Sequence, residues 1–187
     1  DTISRIPPEK VPFALNTMLP PDIRVTEGLL VPDSLHARFS VERKTYTYRI
    51  HNAPHASALY RHLTAHVPLA LDETIMHKAV QALVGTHDFS AFCASGGQAK
   101  TTVRHIYGAA VQREGERVSL TITGNGFLYN MVRIIAGTLI GIGQGKLPSD
   151  CFSRALETHS RLDLGVTAPA CGLELTEVRY PMESLSL

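Results

Sequence analysis

The chain has 187 residues, 44% of them hydrophobic and 19% charged, with 18 Lys and Arg against 17 Asp and Glu and a formal net charge of +1. This is ordinary globular composition, sufficient for a packed core in one large domain or two small ones, and it provides no global field that would announce a polyanionic partner. Cys93, Cys151 and Cys171 are odd in number and never form a C-x-x-C pair, which excludes a zinc ribbon and fits reduced thiols in a cytoplasmic setting better than a disulfide framework.

The polar, proline-rich start DTISRIPPEK has no signal-peptide pattern, and because it opens on Asp1 rather than Met, an N-terminal part is expected to lie outside these residues. EKVPFALNTML predicts a short helix, with Pro12 tolerated in its first turn and Pro20-Pro21 as a stop. Ile23 to Val31 alternates like a half-buried strand. Lys44 to Ile50 alternates again, placing Tyr46, Tyr48 and Ile50 on one face and Thr45, Thr47 and Arg49 on the other. Asp72 is placed to cap a helix over 73–84 with Ile75, Met76, Ala79, Val80 and Leu83 on its inner face, and Gly85 ends it. A compact loop then carries Phe89 and Phe92 toward the core. Val103 to Gln112 and Arg117 to Thr123, joined at Glu114-Gly115, read as a β-hairpin.

The hairpin leads into GNGFLYNMVRIIAGTLIGIGQG, residues 124–145, in which Arg133 is the only formal charge. From Phe127 the apolar positions recur at helical spacing nearly all round, so a buried helix is expected. Asn130, Arg133 and the repeated glycines break the run short of a membrane span. A buried guanidinium needs an anion. Arg133 either forms a structural ion pair with one of the chain's own acids, or lines a cleft and holds a catalytic carboxylate or substrate phosphate. A helix over 149–159 and a strand over 173–180 close the chain. Helices and strands interleave without a strict β-α-β repeat, so the expected fold class is α+β, a largely antiparallel sheet with helices packed on it.

Nine histidines raise a metal reading, but Pro54 disrupts the His51/His55 spacing, and His62/His66 lie in a strand-like or loop segment, so no metal site is expected. GIGQGKL fails as a phosphate loop because Leu147 follows Lys146, and GNGF lacks the third glycine of a dinucleotide fingerprint.

What remains is an ordered set of segments. It runs LNTMLPPDIRV, His36-Ala37-Arg38-Phe39-Ser40, the strand beginning Lys44-Thr45-Tyr46, Asp88-Phe89-Ser90-Ala91-Phe92, Lys100-Thr101-Thr102-Val103-Arg104, Gly124 through Arg133, Gly172-Leu173 and Tyr180-Pro181. In this order they resemble the bacterial tRNA pseudouridine synthase A family almost from end to end. The resemblance implies isomerisation of uridine to pseudouridine in the anticodon arm of tRNA, without cofactor or metal, by cytoplasmic enzymes that are usually homodimers. It implies that residues 1–187 are the C-terminal portion of the family fold. The family's nucleophilic aspartate lies in a G-R-T-D segment, which is absent here and would fall shortly before Asp1. By the same resemblance Tyr46 corresponds to the tyrosine that stacks on the target base and is a candidate to remove its C5 proton. Arg133 corresponds to the arginine paired with the catalytic aspartate, and Leu173 to an apolar residue of the pocket. Arg38, Lys44, Lys100 and Arg104 are assigned to tRNA backbone contact, two of the four at most, against the alternative of solvated surface charges. The other readings are a non-catalytic RNA-binding module or a dimerisation module of the same fold.

Overall fold

Alternation along Arg43–His51 builds β1, on which the sheet is assembled: Tyr48 and Ile50 enter the core and are fully buried, while Thr45 and Thr47 point to the opposite face. In the computed structural model, which describes residues 5–181, the sheet has six strands. The others are β2 (Ala65–His66), β3 (Gly85–Asp88), β4 (Val103–Glu114), β5 (Arg117–Gly124) and β6 (Leu173–Arg179). The order is β2-β1-β5-β4-β3, with β6 also paired to β1. Among the described strands only the short β1–β2 pairing is parallel, so the fold is the expected α+β arrangement. Facing pairs such as Tyr48↔Leu120 and Tyr46↔Ile122 give the core face its continuity. On β6, Leu173 lies opposite Tyr48 and Leu175 opposite Tyr46; the register then shifts, so that Glu177 faces Thr45 and Thr176 is the extra residue of a β-bulge.

Three helices pack beside this sheet: α2 (Glu73–Val80), α3 (Met131–Gly143) and α4 (Cys151–Thr158). Asp72 caps α2 by accepting from the Ile75 backbone N–H at 3.0 Å. α3 is the core helix, with Ile134, Ile135 and Leu139 fully buried. Phe89, Phe92 and Phe152 form a chain of ring contacts that seats α4, at centroid spacings of 5.3 and 6.0 Å.

The strap over residues 164–172 lies across α3. The space beside Gly137 is occupied by it, since a Cβ at 137 would come within 1.8 Å of the Val166 carbonyl oxygen. Gly165 N–H donates to Thr138 Oγ1 at 2.9 Å and Ala168 N–H to the Arg133 carbonyl at 3.0 Å. Farther along, the Tyr48 hydroxyl donates to the Pro169 carbonyl at 2.7 Å, and Gly172 sits flat on the Tyr48 ring.

Residues 5–40 with Tyr180 and Pro181 form a separate compact unit. Its helix, α1 (Val11–Asn16), follows a 3-10 turn over Pro8–Lys10, and the Asn16 amide both donates to and accepts from the Val25 backbone, each at 2.8 Å. Tyr180 donates its hydroxyl to the Ala37 carbonyl at 2.7 Å. Phe13, Met18 and Phe39 are exposed on this unit.

Several expected elements differ. Ile23 to Val31 is not a strand: Val25 is bonded to an amide side chain instead of to a neighbouring ladder. Thr86 to Asp88, expected in a loop, belongs to the edge strand β3, which starts at Gly85 with φ of +115°. The α-helical part of α2 stops at Val80, a 3-10 turn completes it to Leu83, and Ile75 on its supposed inner face is exposed. Glu114 pairs with Arg117, so the hairpin turn is Gly115-Glu116. Phe127 to Asn130 precede α3 because Asn130 is left-handed, at φ 59°.

Candidate active site

Tyr46 stands on the core face of β1, two residues before Tyr48 and between Ile122 of β5 and Leu175 of β6. Beyond Gly124 the chain must turn tightly. A Cβ at Gly124 would lie 2.8 Å from Ile106 Cδ1 and 3.1 Å from the His105 carbonyl oxygen. Asn125 exchanges bonds with the His105 backbone, donating its N–H to the carbonyl and accepting the His105 N–H on Oδ1, both at 3.0 Å. This turn delivers Phe127 edge-on to Tyr46, at 5.2 Å and 87°. Half-burial pushes the Tyr46 phenol above its ordinary pKa, so it is protonated at neutral pH.

Arg133 lies in the first turn of α3 and is half-buried. Its Nε donates to the Ala168 carbonyl at 2.7 Å and its Nη1 to Asn130 Oδ1 at 3.0 Å. Among the described residues no carboxylate lies within 4.0 Å of it. The internal ion pair, one of the two readings of this arginine, is therefore not formed with any described acid, and the guanidinium keeps N–H groups without an acceptor among the described residues. Nearby, burial raises the Tyr48 phenol far above its ordinary value; Cys171 adds to the shift and the positive charge of Arg133 opposes it.

Tyr46, Phe127, Tyr129, Asn130, Arg133 and Leu173 line one cavity of about 230 Å³. Such a space suits a small planar group, below the usual 300–1,000 Å³ of drug-sized pockets. One wall is aromatic, Leu173 adds an apolar side, and one cation faces in. A larger depression of about 730 Å³ between α2 and the β4–β5 hairpin contains Arg113 and Arg117, but their charges are already met by Glu73 at 2.8 Å and Glu114 at 3.8 Å. Among the described residues Arg133 has no carboxylate within 4.0 Å, which makes the smaller cavity the candidate site.

The residues singled out from sequence divide accordingly. Tyr46, Arg133 and Leu173, remote in sequence, meet at the cavity. Arg104 does not line it: its side chain lies along Gly126, and Nη1 donates to the Thr101 and Val103 carbonyls at 2.9 and 2.6 Å. Lys44 is half-buried and shares the Tyr46 face of β1. Lys100 is exposed in the loop before β4 and does not line the cavity. Arg38 belongs to the first unit, where it is exposed and its guanidinium lies 5.6 Å from the Phe39 ring centroid. Sequence reasoning misses Phe127, Tyr129 and Asn130 as site residues, although all three lie in the segment that leads to Arg133. Among the described residues no group of three His, Cys, Asp or Glu is placed to hold a metal, and no helix is long and apolar enough to cross a membrane.

Comparison with known proteins adds a separate line of support. A family model described as tRNA pseudouridine synthase matches residues 79–181. The chain is 47% identical over 180 residues to the tRNA pseudouridine synthase A of Ruminiclostridium cellulolyticum, covering 96% of this chain and 74% of that protein. The enzymes of the same name from Acetivibrio thermocellus and Bacillus pumilus are 48% and 44% identical, each over 96% of this chain and 73% of the relative.

Proposed function

This chain belongs to the tRNA pseudouridine synthase family, and we propose that it is the C-terminal portion of a synthase that isomerises uridine in the anticodon arm of tRNA, with the cavity beside Tyr46 as its active site. The observation that carries the reading is Arg133: a half-buried guanidinium, held by Ala168 and Asn130, facing a base-sized cavity with no carboxylate of its own among the described residues.

A uridine inside a helical arm is shielded by its neighbours, so the base must be extruded to be reached. Tyr46 offers a face for it to stack on, Phe127 buttresses that ring, and Leu173 packs on the base and excludes water. Arg133 pairs with the nucleophilic carboxylate of the family's G-R-T-D segment, a motif that none of the 17 acidic residues here reproduces. That pairing holds the carboxylate ionised and aimed at the base. Once the glycosidic bond is broken and the ring rejoined through C5, the C5 proton must leave, and the acceptor we assign is Tyr46 Oη in its phenolate form, reached by prior loss of the phenolic proton to solvent. Lys44, Lys100 and Arg104, with Arg38 on the first unit, are the candidates for contact with backbone phosphates, which hold A-form RNA without reading its sequence. The enzyme works in the cytoplasm as a homodimer. The unpaired cysteines support the first part, and the exposed Phe13, Met18 and Phe39 support a surface that is covered in the assembled enzyme.

A dimerisation or RNA-binding module without catalysis calls for neither a cation facing a cavity nor an aromatic slot beside it, and nothing here favours it. The decisive experiment mixes this chain with the N-terminal quarter of the Ruminiclostridium cellulolyticum relative and measures tritium release from C5-labelled uridine in tRNA. Release that depends on both pieces and is lost with Tyr46→Phe and Arg133→Ala is expected. A folded complex that binds tRNA and releases no tritium would refute the assignment.

A further inference from the structure

Asn130 stands at φ 59° and ψ 9°, left-handed backbone that a side chain with a Cβ adopts at a cost. It occupies the N-cap of α3. An asparagine there ordinarily has extended backbone and turns its side chain back to accept an N–H of the first helical turn. Here no such bond is made. Its Oδ1 instead accepts from Arg133 Nη1 at 3.0 Å, and the residue itself lines the cavity. Left-handed backbone, which asparagine tolerates better than most residues, and a forgone cap leave the amide turned toward Arg133.

The second acceptor completes the geometry. The Ala168 carbonyl takes the Nε–H at 2.7 Å, so the planar guanidinium is held at Nε and at Nη1 and cannot rotate freely about either bond. We infer that Asn130 is a positioning residue, whose amide oxygen sets the plane of the Arg133 guanidinium so that its remaining N–H groups meet a carboxylate entering the cavity. This rests on the active-site reading above. The amide chemistry matters: an aspartate at 130 would orient the arginine equally well but pair with it, neutralising the cation before the nucleophile arrived. An amide oxygen orients without competing.

Two substitutions separate this role from a structural one. Asn130→Gly keeps the left-handed conformation, which glycine adopts readily and which offsets the loss of the one bond to Arg133, so its Tm should stay close to that of the wild type. In the two-piece tritium assay its kcat should fall by about 10- to 100-fold, the effect of a misplaced reacting group, with KM unchanged. Asn130→Asp should be isosteric, folded and at least as impaired. Wild-type kcat in either folded variant would overturn the proposal. Nitrogen-15 spectra of the Arg133 side chain, recorded on this chain alone, keep the outcome separate from that of the active-site reading. Asn130→Gly should speed rotation about the Cζ–Nη1 bond; unchanged Arg133 signals would overturn the positioning role even if the two-piece assay showed no turnover at all.

Discussion

Gly137→Ala provides a quantitative test of how the site is held together. Glycine inside a helix is normally a weakness, and alanine there is worth about 1 kcal/mol of added stability. At Gly137 the new methyl would sit 1.8 Å from the backbone oxygen of Val166, so the strap must withdraw by more than an ångström. Main chain cannot rotate aside as a side chain can. Three hydrogen bonds depend on the strap staying in place: Gly165 N–H to Thr138 Oγ1, Ala168 N–H to the Arg133 carbonyl, and Arg133 Nε–H to the Ala168 carbonyl. At about 1 kcal/mol each, their loss outweighs the propensity gain and leaves a net destabilisation of about 2 kcal/mol. For a chain of this size, that lowers Tm by roughly 4–8 °C. Gly141→Ala, one turn on, is the control. Its methyl would meet Leu147 Cδ1 at 2.6 Å, the far end of a flexible side chain, so it should lie within about 1 kcal/mol of the wild type. Urea and thermal unfolding followed by circular dichroism measure both. Equal stabilisation by the two substitutions would show that the strap does not constrain α3, and the account of how Arg133 is held would fall with it.

Tyr48→Phe removes the hydroxyl bonded to Pro169 and should cost about 1 kcal/mol. Because the folded Tyr48 phenol titrates above the ordinary 10.0, its contribution is complete below pH 10 and is lost as pH rises toward the folded value, so the variant should show a shallower alkaline fall in urea-unfolding stability; an identical fall would refute this. Glu73, whose carboxyl the Arg113 bond holds below 4.5, behaves oppositely: the stability gap between wild type and Glu73→Gln should be present above pH 4.5 and close as pH falls through the folded value, and a gap that persists in acid would be incompatible with the ion pair. If Tyr46 takes the C5 proton as a phenolate, its raised pKa requires single-turnover rates to climb with pH across the neutral range, and a flat profile would leave it only the stacking role. Removing Lys44 or Arg104 should lower the salt dependence of tRNA binding by about 0.9 in log–log slope per phosphate contact, with no change for a residue that touches no phosphate.

Of the candidate site, only Arg133 stood out from the residues themselves; Tyr46 and Leu173 were singled out by the resemblance alone. Arg133 is a lone charge in an apolar run, and Tyr46 shares its strand face with a tyrosine that proved to be core. The α+β class followed from the order of periodic segments. The misses have a common origin in atoms that side-chain identity does not report. The acceptor for Arg133 Nε is the carbonyl of Ala168, and neither an alanine nor its position 35 residues away marks it. The strand expected over 23–31 had the right alternation and no neighbour to pair with, while β3 had a neighbour and no alternation. Asn130 entered the reading only as an interruption of an apolar run, because left-handed backbone at a helix start is set by the turn that precedes it.

The β-bulge in β6 divides that strand into two separately registered stretches, and the site uses only the first. Leu173 and Leu175 are locked opposite Tyr48 and Tyr46, whereas beyond the extra Thr176 the pairing restarts in a new register. A slip by one residue within a continuous ladder would carry Leu173 to the far side of the sheet. Thr176 itself is pinned to β1, its hydroxyl donating to the Thr45 carbonyl at 3.1 Å, so the change of register is fixed at that one residue and the pairing of Leu173 and Leu175 is set apart from that of Glu177 to Arg179.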